Sequence, residues 1–105
     1  MDDHATSHAV VMTTLGTLHP RGAAALARYA AVVMPLIRAA GGEVVGRAVT
    51  REVLVGGDAP GFVAVIRFPD AAHARAMIAS AAYRAAVPDR DEAFLEIRTF
   101  LGDSL

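Results

Sequence analysis

The run Phe62-Val63-Ala64-Val65-Ile66-Arg67-Phe68-Pro69-Asp70 decides how this chain folds. Phe62, Ala64, Ile66 and Phe68 alternate with Val63, Val65 and Arg67, the period of two that a β-strand requires. Both sets are largely apolar, so this strand needs cover on both faces. Pro69 lacks the N–H that would continue a ladder, and Asp70 can accept a hydrogen bond from the first turn of a helix. This one run therefore predicts a strand over Phe62–Phe68 and a helix over Ala71–Ala79.

Upstream, Gly56-Gly57-Asp58-Ala59-Pro60-Gly61 reads as a turn. Glu43 to Val55 reads as a strand, bent or bulged at Gly46. Before it, Leu26, Tyr29, Val33, Leu36 and Ile37 recur at helical spacing within Arg21–Ala40. Pro35 predicts a kink in the last turns of that helix, and Gly41-Gly42 a left-handed stop. His19-Pro20 separates the helix from a first strand over His8–Leu18. Downstream, a short helix near Ala81–Ala86 is expected to stop before Pro88. The charges at Arg84, Asp89, Arg90, Asp91 and Glu92 read as a solvated turn. Phe94–Leu101 is the last strand.

The resulting order, β-α-β-β-α-β, is that of the ferredoxin-like split unit, an α+β fold. Its helices cover one face of an antiparallel sheet. The other face would carry Val63 and Val65, with Val11 and Leu15 on one side of the first strand. A second apolar face predicts a homodimer in which two sheets pack face to face, a dimeric α+β barrel.

Composition narrows the chemistry. The 105 residues fit a single domain over 1–105, with a flexible leader at 1–7. At 54% hydrophobic and 20% charged, the chain has ample material for a core and is not of disordered type. A net charge of −1 gives no reason to expect a nucleic-acid or anionic-membrane partner. No apolar stretch approaches the roughly 20 residues of a membrane span. The acidic start, Met1-Asp2-Asp3-His4, is unlike a secretory signal, so a cytoplasmic protein is expected.

All 10 Lys+Arg residues are arginine, and Cys, Lys, Trp, Asn and Gln are absent, a bias typical of G+C-rich bacterial genomes. That composition excludes thiol nucleophiles, disulfides, thiolate metal sites and Schiff-base lysines. There is no G-x-x-x-x-G-K-[ST] loop, H-E-x-x-H helix or G-x-S-x-G elbow. Neither a metal nor a cofactor is expected, and any catalysis falls to His, Asp, Glu, Tyr, Ser, Thr or Arg.

Several features in order resemble the DUF1330 family of small bacterial proteins. They are Tyr29, Pro35 with Gly41-Gly42, Arg47, and Leu54-Val55-Gly56. They continue through Val65-Ile66-Arg67-Phe68-Pro69, Ser80 with Tyr83, and Pro88 with Arg90. The resemblance spans about Val10 to Gly102 and implies the barrel dimer, but no settled activity. The chain departs from the family pattern at His73, usually a small residue, and at Met77 and Ile78, usually near bulky aromatics. Ala48 and Val49 replace two glycines after Arg47, and Ala25 replaces a first-helix aromatic. These changes read either as an enlarged pocket between helices and sheet or as ordinary drift with compensating repacking.

The candidate catalytic residues are His73, whose imidazole can carry a proton, and Arg47, which can steady developing negative charge. Tyr29, Phe62, Met77 and His19 are the candidate substrate-binding residues. Each has a plainer reading: a boundary histidine, an ion pair, core packing, or a solvated loop. His4 and His8 carry little information. The functional expectation is a small-molecule ligand and a cofactor-independent cyclase, isomerase, lyase or oxygenase acting on a small apolar or aromatic metabolite. Barrel relatives of such enzymes favour a role in secondary metabolism. The alternatives are a non-catalytic binder and a purely structural homodimer.

Overall fold

A computed structural model describes residues 9–105. The expected leader at 1–7, His4 and His8 lie outside the described residues. The elements run β1 (Val10–Leu18), α1 (Ala23–Ala39), β2 (Glu43–Val49), β3 (Phe62–Phe68), α2 (Ala71–Ala79), α3 (Ala81–Ala85), α4 (Val87–Ala93) and β4 (Phe94–Asp103). The four strands form one sheet in the order β2-β3-β1-β4, with every neighbouring pair antiparallel. This is the ferredoxin-like α+β arrangement, with two short helices added before the last strand.

Alternation along β3 sorts the layers as its sequence predicts. Phe62, Ala64, Ile66 and Phe68 are buried, while Val63 and Val65 are half-buried on the opposite face and Arg67 is exposed. In β1, Val10 and Met12 join the buried face. From α1, Val33 and Ile37 pack onto Met12, Ile66 and Phe68, and Met77 and Tyr83 complete this part of the core. A second cluster at the other end of the sheet holds Ala25, Phe62, Ala64, Ala93 and Phe94.

The end of α1 follows its glycines. Gly41 sits at φ 83°, Gly41 N–H donates to the Arg38 carbonyl at 3.0 Å, and Gly42 N–H donates to the Ile37 carbonyl at 2.8 Å. This paired bond pattern closes a helix through a left-handed residue. Pro35 lies inside the helix, which continues past it to Ala39.

Two expectations need correction. Strand β2 ends at Val49, not Val55. Its only ladder partner is β3, whose first residue, Phe62, already faces Val49. Thr50 then closes the loop, its N–H donating to the Gly61 carbonyl at 2.8 Å and its hydroxyl to the Pro60 carbonyl. Among the described residues no strand faces residues 51–60.

The second correction concerns the charged run, which is a helix rather than a solvated turn. The short helix α3 does stop before Pro88, but Pro88 then sits in the first turn of α4, where a residue needs no N–H for a helical bond. Arg28 of α1 reaches Asp89 at 3.0 Å and Glu92 at 3.2 Å, tying the two helices together.

Candidate functional site

An apolar cavity of about 50 Å³ lies between α1 and the sheet, lined by members of both core clusters. At roughly 10–15 Å³ per water-sized sphere, it holds a few heavy atoms without rearrangement. Met12, Met34 and Met77 are among its walls, and unbranched thioether side chains can yield to a larger guest. Tyr83, Tyr29, Phe94 and Phe62 form a chain of edge-to-face rings along it, with centroids 6.2, 6.5 and 5.2 Å apart in turn.

The polar centre of the cavity is the chain's two tyrosines. Their hydroxyls lie 2.9 Å apart, and Arg90 Nη1 donates to the Tyr83 hydroxyl at 3.3 Å. Local structure places each group. Ser80 caps α3 by accepting from Tyr83 N–H at 3.1 Å, while its own hydroxyl donates to the Met77 carbonyl at 2.7 Å. This cap turns Tyr83 inward, where it is 5% exposed. Arg90 sits on the inner side of α4, its Nε and Nη2 both donating to Asp91 Oδ1 at 3.2 Å.

Burial is the main cause that raises the Tyr29 phenol well above its ordinary value, and the Tyr83 hydrogen bond adds to it. Burial alone would lower the Arg90 guanidinium, but the bonds to Tyr83 and Asp91 outweigh it and the net shift is upward. Tyr29 is therefore held as a neutral phenol, and the Arg90 cation stands beside its partner Tyr83. Two hydroxyls hold two protons, and one proton suffices for the bond between them. The other is available to a ligand oxygen.

Arg47 stands at the cavity rim, exposed yet part of the lining. Its direction depends on one extra residue. Val44 pairs with Ile66 and Gly46 with Val65, leaving Val45 unpaired in a bulge. Without the bulge, alternation would put Arg47 on the open face with Glu43. With it, Arg47 pairs with Ala64 and shares the helix-covered face. The irregularity expected at Gly46 thus lies between Val44 and Gly46.

Of the predicted site residues, Arg47, Tyr29, Phe62 and Met77 line the one cavity. His73 and His19 do not. His73 is 53% exposed, with Nδ1 2.7 Å from Asp70 Oδ1, and Asp70 Oδ1 also accepts from His73 N–H at 2.8 Å. The helix cap holds the imidazole outside, and the side-chain bond to His73 is the first cause lowering the Asp70 carboxyl. The expected pairing of His73 with Arg47 in one pocket is not found. His19 Nδ1 accepts from Arg21 N–H at 3.0 Å and its backbone N–H bonds the Ala93 carbonyl at 2.8 Å, a loop role.

Tyr83 and Arg90 carry the polar centre although their spacing gave them no functional signal. The usable signs were the chain's having only two tyrosines and a Ser80 three residues before one of them. Among the departures from the family pattern, Met77 and Ile78 line the cavity. Ala25 instead fills the second core cluster, and Ala48 and Val49 are exposed.

The fold and its helix-covered cavity place the molecule among ferredoxin-like α+β proteins. Residues 14–100 match the family model described as a domain of unknown function, DUF1330, and the chain belongs to that family. No curated protein matches it. Among solved structures it is similar to RPA0582, a protein of unknown function from Rhodopseudomonas palustris, with 27% identity and a TM-score of 0.82 over 97% of this chain and 88% of that one. SnoaB, a cofactor-independent oxygenase from Streptomyces nogalater, shares the fold at 16% identity and a TM-score of 0.66, covering 92% and 93%. So does a dimeric ferredoxin-like protein of unknown function from Bacteroides fragilis, at 9% identity and 0.63, covering 91% and 96%.

Proposed function

We propose that this protein handles a small apolar or aromatic metabolite in the cavity between α1 and the sheet, and that it is a cofactor-independent enzyme. One observation carries the reading: an apolar cavity walled by a hydrogen-bonded tyrosine pair with an arginine at its rim. The free proton of the Tyr29–Tyr83 pair is placed to donate to a carbonyl or phenolic oxygen. Arg90, bonded to Tyr83, polarises that pair, and hydrogen bonds in series strengthen one another. Arg47 would counter negative charge gathering on the same oxygen. The shared fold of an oxygenase described as cofactor-independent is compatible with such chemistry.

A second reading is favoured by a specific observation: among the described residues, no histidine or carboxylate lines the cavity. A proton donor and a charge stabiliser are present without a base, which suits binding as well as turnover. Incubation with carbonyl-bearing aromatic compounds, followed by mass spectrometry, separates the two, since a pure binder forms no product. Ala30→Leu tests the site itself by filling the cavity from α1. The variant is expected to keep the fold and lose ligand-induced thermal stabilisation. Stabilisation as large as in the parent protein would remove the cavity from the account.

The working unit of this reading is a homodimer. Val11, Leu15, Val63 and Val65 give the helix-free face of the sheet an apolar centre. Beyond the sheet, Leu54 and Val55 are 83% and 92% exposed, side chains that a second copy would cover. The dimeric Bacteroides fragilis protein of the same fold supports this assembly.

A further inference from the structure

A groove of about 520 Å³ runs between α2 and the edge strand β4, on the helix-covered side. It is far larger than the cavity and shares Met12, Ile78 and Tyr83 with it. These three side chains are the partition between the two spaces. The floor is mostly apolar, but Arg75 and Arg90 stand in the lining and, among the described residues, no carboxylate does. Among the described residues Arg75 has no acidic partner. Arg90 has donors to spare: a guanidinium carries five N–H groups, and the bonds to Tyr83 and Asp91 engage Nε and each terminal nitrogen once. Each terminal nitrogen keeps one N–H.

We propose that this groove is the port through which an amphipathic carboxylate reaches the cavity, its anionic head seated on Arg75 and Arg90 and its apolar body passing the Met12–Ile78 partition toward the tyrosine pair. An apolar floor edged by two cations complements one negative head on a hydrocarbon or aromatic body. A neutral ligand would leave Arg75 and the spare Arg90 N–H groups unmatched, and a polyanion would find no polar floor. Opening the partition requires new rotamers of Met12, a buried but unbranched core side chain, and of Ile78, which is only partly buried. The inference rests on the cavity being the ligand site, and its substrate class deepens that reading.

Octanoate and its neutral counterpart octanamide test the port, with amide NMR shifts of the intact chain as readout. Octanoate is expected to shift signals of Ala74–Ala79 and Thr99–Leu101 and also of Tyr29 and Phe62. Loss of a charge-assisted contact should weaken it about tenfold for octanamide and for Arg75→Gln. Arg90→Gln is expected to weaken it at least as much. Equal affinity for octanoate and octanamide overturns the proposal, as does wild-type octanoate binding in both arginine variants. Octanoate shifts confined to the groove overturn the passage to the cavity. Xenon, a neutral probe for apolar cavities, tests the underlying reading separately. If xenon shifts Tyr29 and Phe62 while octanoate does not bind, the port falls and the cavity stands. If neither probe moves them, both fall.

Discussion

Tyr29 and Tyr83 are 54 positions apart, and each is an ordinary core tyrosine when viewed alone. Together they form a polar point inside apolar walls, and burial gives that point a measurable pH signature. Tyr29 has a native pKa raised above its unfolded value near 10. The unfolded chain therefore releases this proton first as pH rises, and stability present below about pH 10 is lost above it. Urea unfolding between pH 8 and 11 should show this decline, and Tyr29→Phe should flatten it. At neutral pH the same substitution removes one buried hydrogen bond, at a cost of about 1 kcal/mol.

His73 makes the opposite case. Its imidazole is a candidate proton carrier by residue type, yet the acid three residues earlier is the stronger sign. Asp70 caps α2 and holds the imidazole at the surface. His73→Ala is expected to leave ligand binding within about twofold of the parent, whereas Arg47→Gln should weaken a ligand with a carbonyl or phenolic oxygen about tenfold. Calorimetric titration of the two variants with one ligand checks the contrast.

The strands and caps were legible because they depend on neighbours in sequence. The alternation in β3, the Asp70 cap and the Gly41-Gly42 stop all use residues within a turn or a pleat of one another. The extent of β2 was not legible, since Val53-Leu54-Val55 has strand-like composition but no facing strand. Nor was α4, where Pro88 marks a start in one context and a stop in another. The unpaired Val45 was only half visible: Gly46 announced an irregularity, but not which face Arg47 would take. Deleting Val45 removes the extra residue while Gly46 stays opposite Val65, so Arg47 should remain opposite Ala64 on the helix-covered face. The deletion variant is expected to keep β-sheet circular dichroism and to bind ligand within about twofold of the parent, whereas a loss as large as that of Arg47→Gln would show that the bulge itself sets the direction of Arg47.

For the molecule as a unit, the sheet has one face covered by helices and one that is not. The apolar centre of the uncovered face includes Val65, opposite Thr13 in β1 and Gly46 in β2. Light scattering is expected to give twice the 10.9 kDa chain mass. Val65→Asp places a charge at that centre, and burying it unpaired in a dimer would be costly. It should shift the mass toward the monomer while the helix-side core persists. A parent protein that scatters as a monomer at micromolar concentration would contradict the face-to-face assembly.

The amino-acid order alone determined the β-α-β-β-α-β succession, the buried side of β3, the capping of α2 and the exclusion of thiol and lysine chemistry. Each of these follows from local periodicity, hydrogen-bonding capacity or composition. Only the tertiary structure decided that Tyr29 meets Tyr83, that Arg90 supports the pair, that Arg47 joins their cavity and that His73 stays outside. Those outcomes depend on which distant surfaces pack together and on a one-residue bulge that reverses a strand's faces.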